Sequence, residues 1–178
     1  MKITALRFLA PLIALGFVGV SPLAAQSNRP SPAATATAKI DGADIKITYS
    51  QPSMRGRKIW GDLVPFGSVW RLGANEATTI TLPKAIVLGG KDVPAGAYTL
   101  WMLPAADGSA KLIINSETGQ WGTNYNGKKD FGSVDLKRTE LDKSVEQFVI
   151  AIDAAAGGGV LKFTWDKLQY SVAFTVKK

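Results

Sequence analysis

The chain has 178 residues and a formal net charge of +7, from 21 Lys and Arg against 14 Asp and Glu. It contains neither Cys nor His. These absences exclude disulfide bonds, thiol nucleophiles, thiolate zinc sites and any reaction that needs an imidazole base. A calcium loop needs acids clustered at alternating positions, and the chain has no such cluster. We therefore predict no metal and no cofactor.

The N-terminus has the pattern of a secretory signal peptide. Lys2 and Arg7 precede an apolar run over residues 8–20. The next five residues end with a small residue, Ala25. The run is shorter than the roughly 20 apolar residues that a membrane-spanning helix needs. We therefore predict a signal peptide over residues 1–25, with cleavage after Ala25 and export to the periplasm or the medium. After cleavage we expect no stable membrane insertion.

Residues 26–36, which are rich in Pro, Ser and Ala, are predicted to form a flexible spacer. Period-2 alternation then begins, and residues 37–40 and 45–49 flank Asp41-Gly42, a strong hairpin signal. Further strands are predicted over residues 78–82, 98–103, 111–115, 147–153, 160–165 and 170–176. Turn signals separate these strands, including Gly157-Gly158-Gly159 and Asp166-Lys167. The pattern predicts one all-β domain over residues 37–178, an antiparallel β-sandwich or partly open barrel with at most short helices.

Two stretches lack strand alternation, residues 51–77 and residues 116–130. In the first, Ile59 and Leu63 are four residues apart, which predicts one or two helical turns before Pro65. Connections of this length are uncommon inside compact domains and are often functional. We therefore expect the 51–77 loop to form one wall of the main polar pocket, with Arg55, Arg57 and Trp121 nearest its mouth.

Residues 49–80 read YSQPSMRGRKIWGDLVPFGSVWRLGANEATTI, and shorter distinctive runs follow as VPAGAYTLW, QWG and KFTW. These runs resemble the signature of the exported bacterial proteins grouped as domain of unknown function 2911. The resemblance extends from about residue 33 to the C-terminus. It implies an exported, mainly β domain, and it implies no activity, substrate or catalytic residue.

The residue types in the two loops favour a binding site for an anionic or carbohydrate small molecule. Arg offers planar paired donors to carboxylate or phosphate, and Trp offers a flat face for a sugar ring. The predicted ligand-binding residues are Arg55, Arg57, Lys58, Trp70, Arg71, Asn75, Glu76, Trp121 and Tyr125. We predict no nucleic-acid partner, because the basic residues are scattered rather than arranged in a dense stripe.

Other interpretations of these residues remain open. Arg71 and Glu76 could form a structural ion pair across a turn, and we expect them to lie within contact distance. Trp70 could belong to the core, since aromatic residues mostly serve cores and interfaces. Two other functions compete with a non-catalytic binding module. One is a carboxylate-dependent hydrolase that uses Glu76 and Asp62, and the other is a protein-docking module that exposes Trp60 with Phe66.

Overall fold

The computed structural model describes residues 29–178. The predicted signal peptide and residues 26–28 of the predicted spacer lie outside this range. Within it, no helix is both long and apolar enough to cross a membrane.

The described residues form nine strands and one 3-10 helix, Gly127–Lys129. The strands are β1 (Ala33–Ile40), β2 (Ala43–Ser50), β3 (Thr79–Leu82), β4 (Ile86–Leu88), β5 (Lys91–Val93), β6 (Gly96–Pro104), β7 (Ala110–Asn115), β8 (Asp130–Ala155) and β9 (Gly158–Val176). All the pairings are antiparallel, in the order β1-β2-β3-β6-β7-β8-β9-β4-β5, and the sheet does not close into a barrel. The all-β prediction is confirmed.

The β1–β2 hairpin illustrates why the sequence predicts this fold. Asp41 and Gly42 adopt φ values of 49° and 74°, as a two-residue type I′ turn requires. In β2, Ile45 and Ile47 are fully buried while the residues between them are exposed. The alternation seen in the sequence is therefore the alternation between core and solvent.

The strands β8 and β9 are long and bend across the domain. Residues 130–136 of β8 pair with β7, and residues 137–155 pair with β9. Register shifts on either side of Val145 mark the bend, because an extra residue in one strand kinks it and increases its twist. The predicted turn at Asp166-Lys167 is wrong, since β9 continues through it. Asp166 adopts a left-handed φ of 51° and pairs with Val145. This residue therefore lies at the bulge, and the strand continues on both sides of it.

One core lies between the early strands and the later part of the β8–β9 hairpin. The Tyr49 ring meets the Phe148 ring edge-on, with centroids 5.9 Å apart. The Tyr49 hydroxyl accepts a hydrogen bond from the backbone N–H of Ile150 at 3.0 Å. Strand β2 is thus joined to the later part of β8 by both ring packing and a buried hydrogen bond.

Three sequence predictions require correction. The predicted spacer is too long, because β1 begins at Ala33 and residues 33–36 pair with β2. The predicted helical turns at residues 59–63 are absent; the chain folds back so that the N–H of Val64 donates to the Ile59 carbonyl at 2.9 Å. The short strands β4 and β5 and the early part of β8 were not predicted. Alternation over three residues is too brief to detect, and residues 137–144 of β8 are mostly charged or polar and mostly exposed.

Candidate functional site

The 51–77 loop contains no regular strand, yet it is firmly attached to the sheet. The backbones of Trp70 and Met102 exchange two hydrogen bonds of 2.7 and 2.9 Å. Ile59, Val64 and Leu72 are completely buried. The loop is therefore part of the core, and its length reflects an irregular path rather than freedom to move.

A cleft of about 480 Å³ opens between this loop and residues 122–125. Four of the nine predicted ligand-binding residues line it, namely Arg57, Trp70, Arg71 and Tyr125. The 51–77 loop forms one wall of the cleft, as expected. The cleft is of the size that small-molecule sites in proteins usually have.

The charged residues that line the cleft are both arginines, with no Asp or Glu among the lining residues. The Nε of Arg71 donates to the Gly73 carbonyl at 3.3 Å, and its terminal nitrogens have no acceptor within residues 29–178. Arg57 is more constrained, because it donates to the carbonyls of Met54 at 2.9 Å and Ser53 at 2.7 Å. Arg71 is thus the cation in the cleft with the most unused donors.

The aromatic side of the cleft is continuous with the core. Trp70 stacks on Trp165 with ring centroids 5.7 Å apart and planes 19° apart, and it meets Phe148 edge-on at 5.0 Å. Trp101 and Trp165 also line the cleft although each is only 1% exposed. Trp70 therefore serves both the core and the cleft, and the packing holds its ring in a fixed orientation.

Tyr125 closes the opposite wall. Its ring lies 4.9 Å from the Trp101 ring, and its hydroxyl donates to Asp130 at 2.5 Å. Burial, followed by the hydrogen bond and the charge of Asp130, raises the pKa of Tyr125 well above its usual value. The phenol therefore stays neutral, and its oxygen is left to accept a hydrogen bond from a ligand.

Five predicted residues do not line the cleft: Arg55, Lys58, Asn75, Glu76 and Trp121. Lys58 and Trp121 are exposed, whereas the other three hold the segment 29–31. Arg55 donates to the Pro30 carbonyl at 3.0 Å, Asn75 donates to the Ser31 carbonyl at 3.1 Å, and Glu76 binds Arg29.

Arg71 and Glu76 form no ion pair in the described part of the chain, although the sequence suggested one. Glu76 instead accepts from Arg29 at 2.6 Å and lines a separate pocket of about 330 Å³. The carboxylate of Glu76 is occupied by Arg29, and between Arg71 and Glu76 the backbone has left-handed φ values of 50° at Leu72 and 58° at Asn75. The hydrogen bond from Arg29 is the main cause that lowers the pKa of Glu76.

Sequence reasoning also missed two residues in or near the site. Arg29 lies 47 residues from its partner Glu76, inside a stretch that composition marks as a spacer, so no local signal could reveal it. Gly122 lies where the second loop approaches the first, and a Cβ there would fall 2.7 Å from both Arg71 Cδ and the Asn75 carbonyl oxygen. The one sequence signal for this glycine is the run QWG, which contains it and is part of the family resemblance.

The alternative functions gain no support from the geometry. Glu76 is tied to Arg29, and Asp62 is exposed and lines neither the cleft nor the pocket beside Glu76. Trp60 is turned inward, with its ring 5.3 Å from the Tyr170 ring, so it forms no exposed patch with Phe66. Within residues 29–178, no group of three or more Asp and Glu is placed to hold a metal ion.

Comparison with known proteins identifies the family. No curated protein and no solved structure shows significant similarity to the chain. The family model described as "Protein of unknown function (DUF2911)" matches residues 31–174. This match takes in β1 to β8, all but the last two residues of β9, and all the residues that line the cleft. The chain therefore belongs to the domain of unknown function 2911 family.

Proposed function

We propose that this protein is an exported, non-catalytic binding module that takes an anionic or sugar-like ligand in the cleft beside the 51–77 loop. The observation that carries the proposal is the lining of the cleft, where two arginines lie among packed aromatic rings and no carboxylate within residues 29–178 forms an ion pair with them. An uncompensated cation in a concave site attracts anions and strengthens hydrogen bonds to them.

The aromatic rings suit the apolar part of such a ligand. Trp70, Trp101 and Tyr125 line the cleft and are held by packing, so binding would order few rotatable groups. Ser68 and Thr123 add hydroxyl groups at its edge. Both an acid group and a ring-shaped body would find complementary surface here.

Arg71 is the best residue for a test, because its terminal nitrogens are unused within the described residues. We expect Arg71→Gln to weaken binding strongly while the domain stays folded. Lys58→Gln is the matched control, since it removes the same charge from the same loop at an exposed position outside the cleft.

The first experiment is a thermal-shift screen of the purified protein against sugars, peptidoglycan fragments and small anions. A compound that binds only the folded state raises the melting temperature, and its affinity is then measured by calorimetry for both variants. Binding that survives in Lys58→Gln and is lost in Arg71→Gln supports the proposal, and anion binding should weaken with salt. The proposal fails if no class of compound binds, or if both variants lose affinity equally.

Export is part of the proposal and needs its own measurement. The mass of the protein recovered from the cells that naturally produce it should correspond to a chain that begins at Gln26. Full-length protein in the cytoplasm of those cells would contradict export.

A further inference from the structure

Two buried backbone donors beside Arg71 have no hydrogen-bond partner within residues 29–178. Gly73 and Ala74 are both buried and both line the cleft. None of the hydrogen bonds formed within residues 29–178 uses the N–H of either residue. Buried backbone N–H groups almost always have a partner, in the protein or in the solvent. The cleft is where such a partner would be placed.

The conformation of this corner is unusual. Leu72 adopts a φ of 50° although it is a bulky residue and completely buried. A left-handed conformation at such a residue is strained, and residues of this kind are concentrated at ligand sites and switch regions. The next residue, Gly73, has a φ of 153°. Residues 72–75 form a bend, and successive backbone N–H groups in a turn can form a concave binding site for an anion.

The surrounding bonds hold the corner in place. The Thr78 hydroxyl donates to the Leu72 carbonyl at 2.7 Å, and Arg71 donates to the Gly73 carbonyl. Both bonds use carbonyl oxygens, so they leave the N–H groups of Gly73 and Ala74 unpaired. The guanidinium of Arg71 is fixed at the same corner through its Nε, with its terminal nitrogens unused.

We propose that the backbone N–H groups of Gly73 and Ala74 and the guanidinium of Arg71 together form an oxyanion site. The inference rests on the proposed function and narrows its ligand to one with a carboxylate, phosphate or sulfate group at this corner. An oxyanion can accept from several donors at once, and hydrogen bonds to charged groups are stronger than those to neutral ones. A neutral sugar hydroxyl would leave part of this donor set unpaired.

The test is amide NMR on the ¹⁵N-labelled protein, titrated separately with sodium glucuronate, glucose and inorganic phosphate at constant ionic strength. Glucuronate and glucose differ by one carboxylate, which separates the acid group from the ring. Phosphate reports whether a free oxyanion is sufficient. We expect saturable downfield shifts of the Gly73 and Ala74 amide protons with glucuronate or phosphate, and none with glucose.

Variants identify the donors. Arg71→Gln should weaken anion binding by about tenfold to a hundredfold, as expected for the loss of charge-assisted hydrogen bonds. Arg71→Lys keeps the charge but not the planar fork and should be intermediate. Lys58→Gln should bind as the parent protein does. Amide signals away from the cleft show whether each variant stays folded.

The possible outcomes separate this inference from the proposed function. Saturable shifts with glucose at the Trp70 indole, without anion-dependent shifts at Gly73 and Ala74, would overturn the oxyanion site and leave the binding module intact. Shifts confined to exposed lysines such as Lys128 would show an adventitious ion only and would also overturn it. The absence of any saturable shift in the cleft with every probe, together with a negative ligand screen, would end both.

Discussion

The hydroxyl group of Tyr49 offers the sharpest test of how β2 is joined to the later part of β8. It accepts from the N–H of Ile150 at 3.0 Å and from the amide of Gln51 at 3.3 Å. Tyr49 is 7% exposed and Ile150 is 3% exposed, so water cannot readily replace the hydroxyl. Tyr49→Phe keeps the ring and its packing against Phe148, and it removes only the oxygen.

The expected cost follows from the donor that is left behind. A buried N–H without an acceptor costs about 1–3 kcal/mol, and the substitution creates almost no cavity to add to this. For a domain of this size, each kcal/mol lowers the melting temperature by about 2–4 °C. We therefore expect the free energy of unfolding to fall by about 1–3 kcal/mol.

Tyr98→Phe is the matched control, because Tyr98 is 8% exposed and its hydroxyl donates to the Pro94 carbonyl at 3.2 Å. Pro94 is exposed, so water can satisfy that carbonyl and the loss should stay near 1 kcal/mol or below. Urea denaturation of both variants measures the difference, with equal m-values as the check on two-state behaviour. If the two variants lose the same stability, the hydroxyl of Tyr49 does not fasten β2 to β8.

Three other substitutions test separate parts of the structure. Glu76→Ala should lower the free energy of unfolding by less than about 1 kcal/mol, because its ion pair is half exposed. The pKa of Glu76 is lowered in the folded protein, so the ion pair contributes its full stability above about pH 4.3. That stability is lost as the pH falls through the folded-state pKa. A loss above 2 kcal/mol in urea denaturation would contradict this assignment. Trp165→Ala should cost about 3–5 kcal/mol by the same measurement, because the side chain is completely packed, and a cost below 1 kcal/mol would place it outside the core. Gly122→Ala should cost about 1–3 kcal/mol by overpacking against Arg71, whereas Gly127→Ala, where the nearest atom would be 3.6 Å away, should be nearly neutral; equal melting temperatures for the two variants would refute the close approach.

The parts of the fold that local pattern determines were predicted correctly. The turn at Asp41-Gly42 was predicted because only a few residues tolerate two successive positive φ values. The alternation of apolar and polar residues in β2 is clear because one face of the strand is buried and the other is exposed to solvent. By contrast, the early part of β8 carries mostly charged or polar residues over 137–144 and shows no such alternation. The strand structure of this stretch depends on its pairing with β9, which a local pattern does not reveal.

The candidate site was predicted in part, for a related reason. Composition and loop length placed the cleft correctly beside the 51–77 loop, and Trp70 and Arg71 were among the residues chosen. The partner of Glu76 could not be found, because Arg29 is distant in sequence and lies in a segment without periodicity. The left-handed φ value at Leu72 could not be predicted either, because bulky residues rarely adopt one.

The way the loop uses its polar residues explains why the cleft is cationic. Arg55, Asn75 and Glu76 are engaged by the backbone or side chains of residues 29–31, which consumes the one carboxylate near Arg71 in sequence. Arg71 is left partly buried without an acid partner, an arrangement that is unfavourable unless a counter-ion is available. Under the proposed function, an anion in the cleft supplies that counter-ion. The same contact that gives affinity for the ligand would therefore also stabilise the folded chain, and replacing Arg71 by a neutral residue should remove both the affinity and the anion-dependent rise in melting temperature.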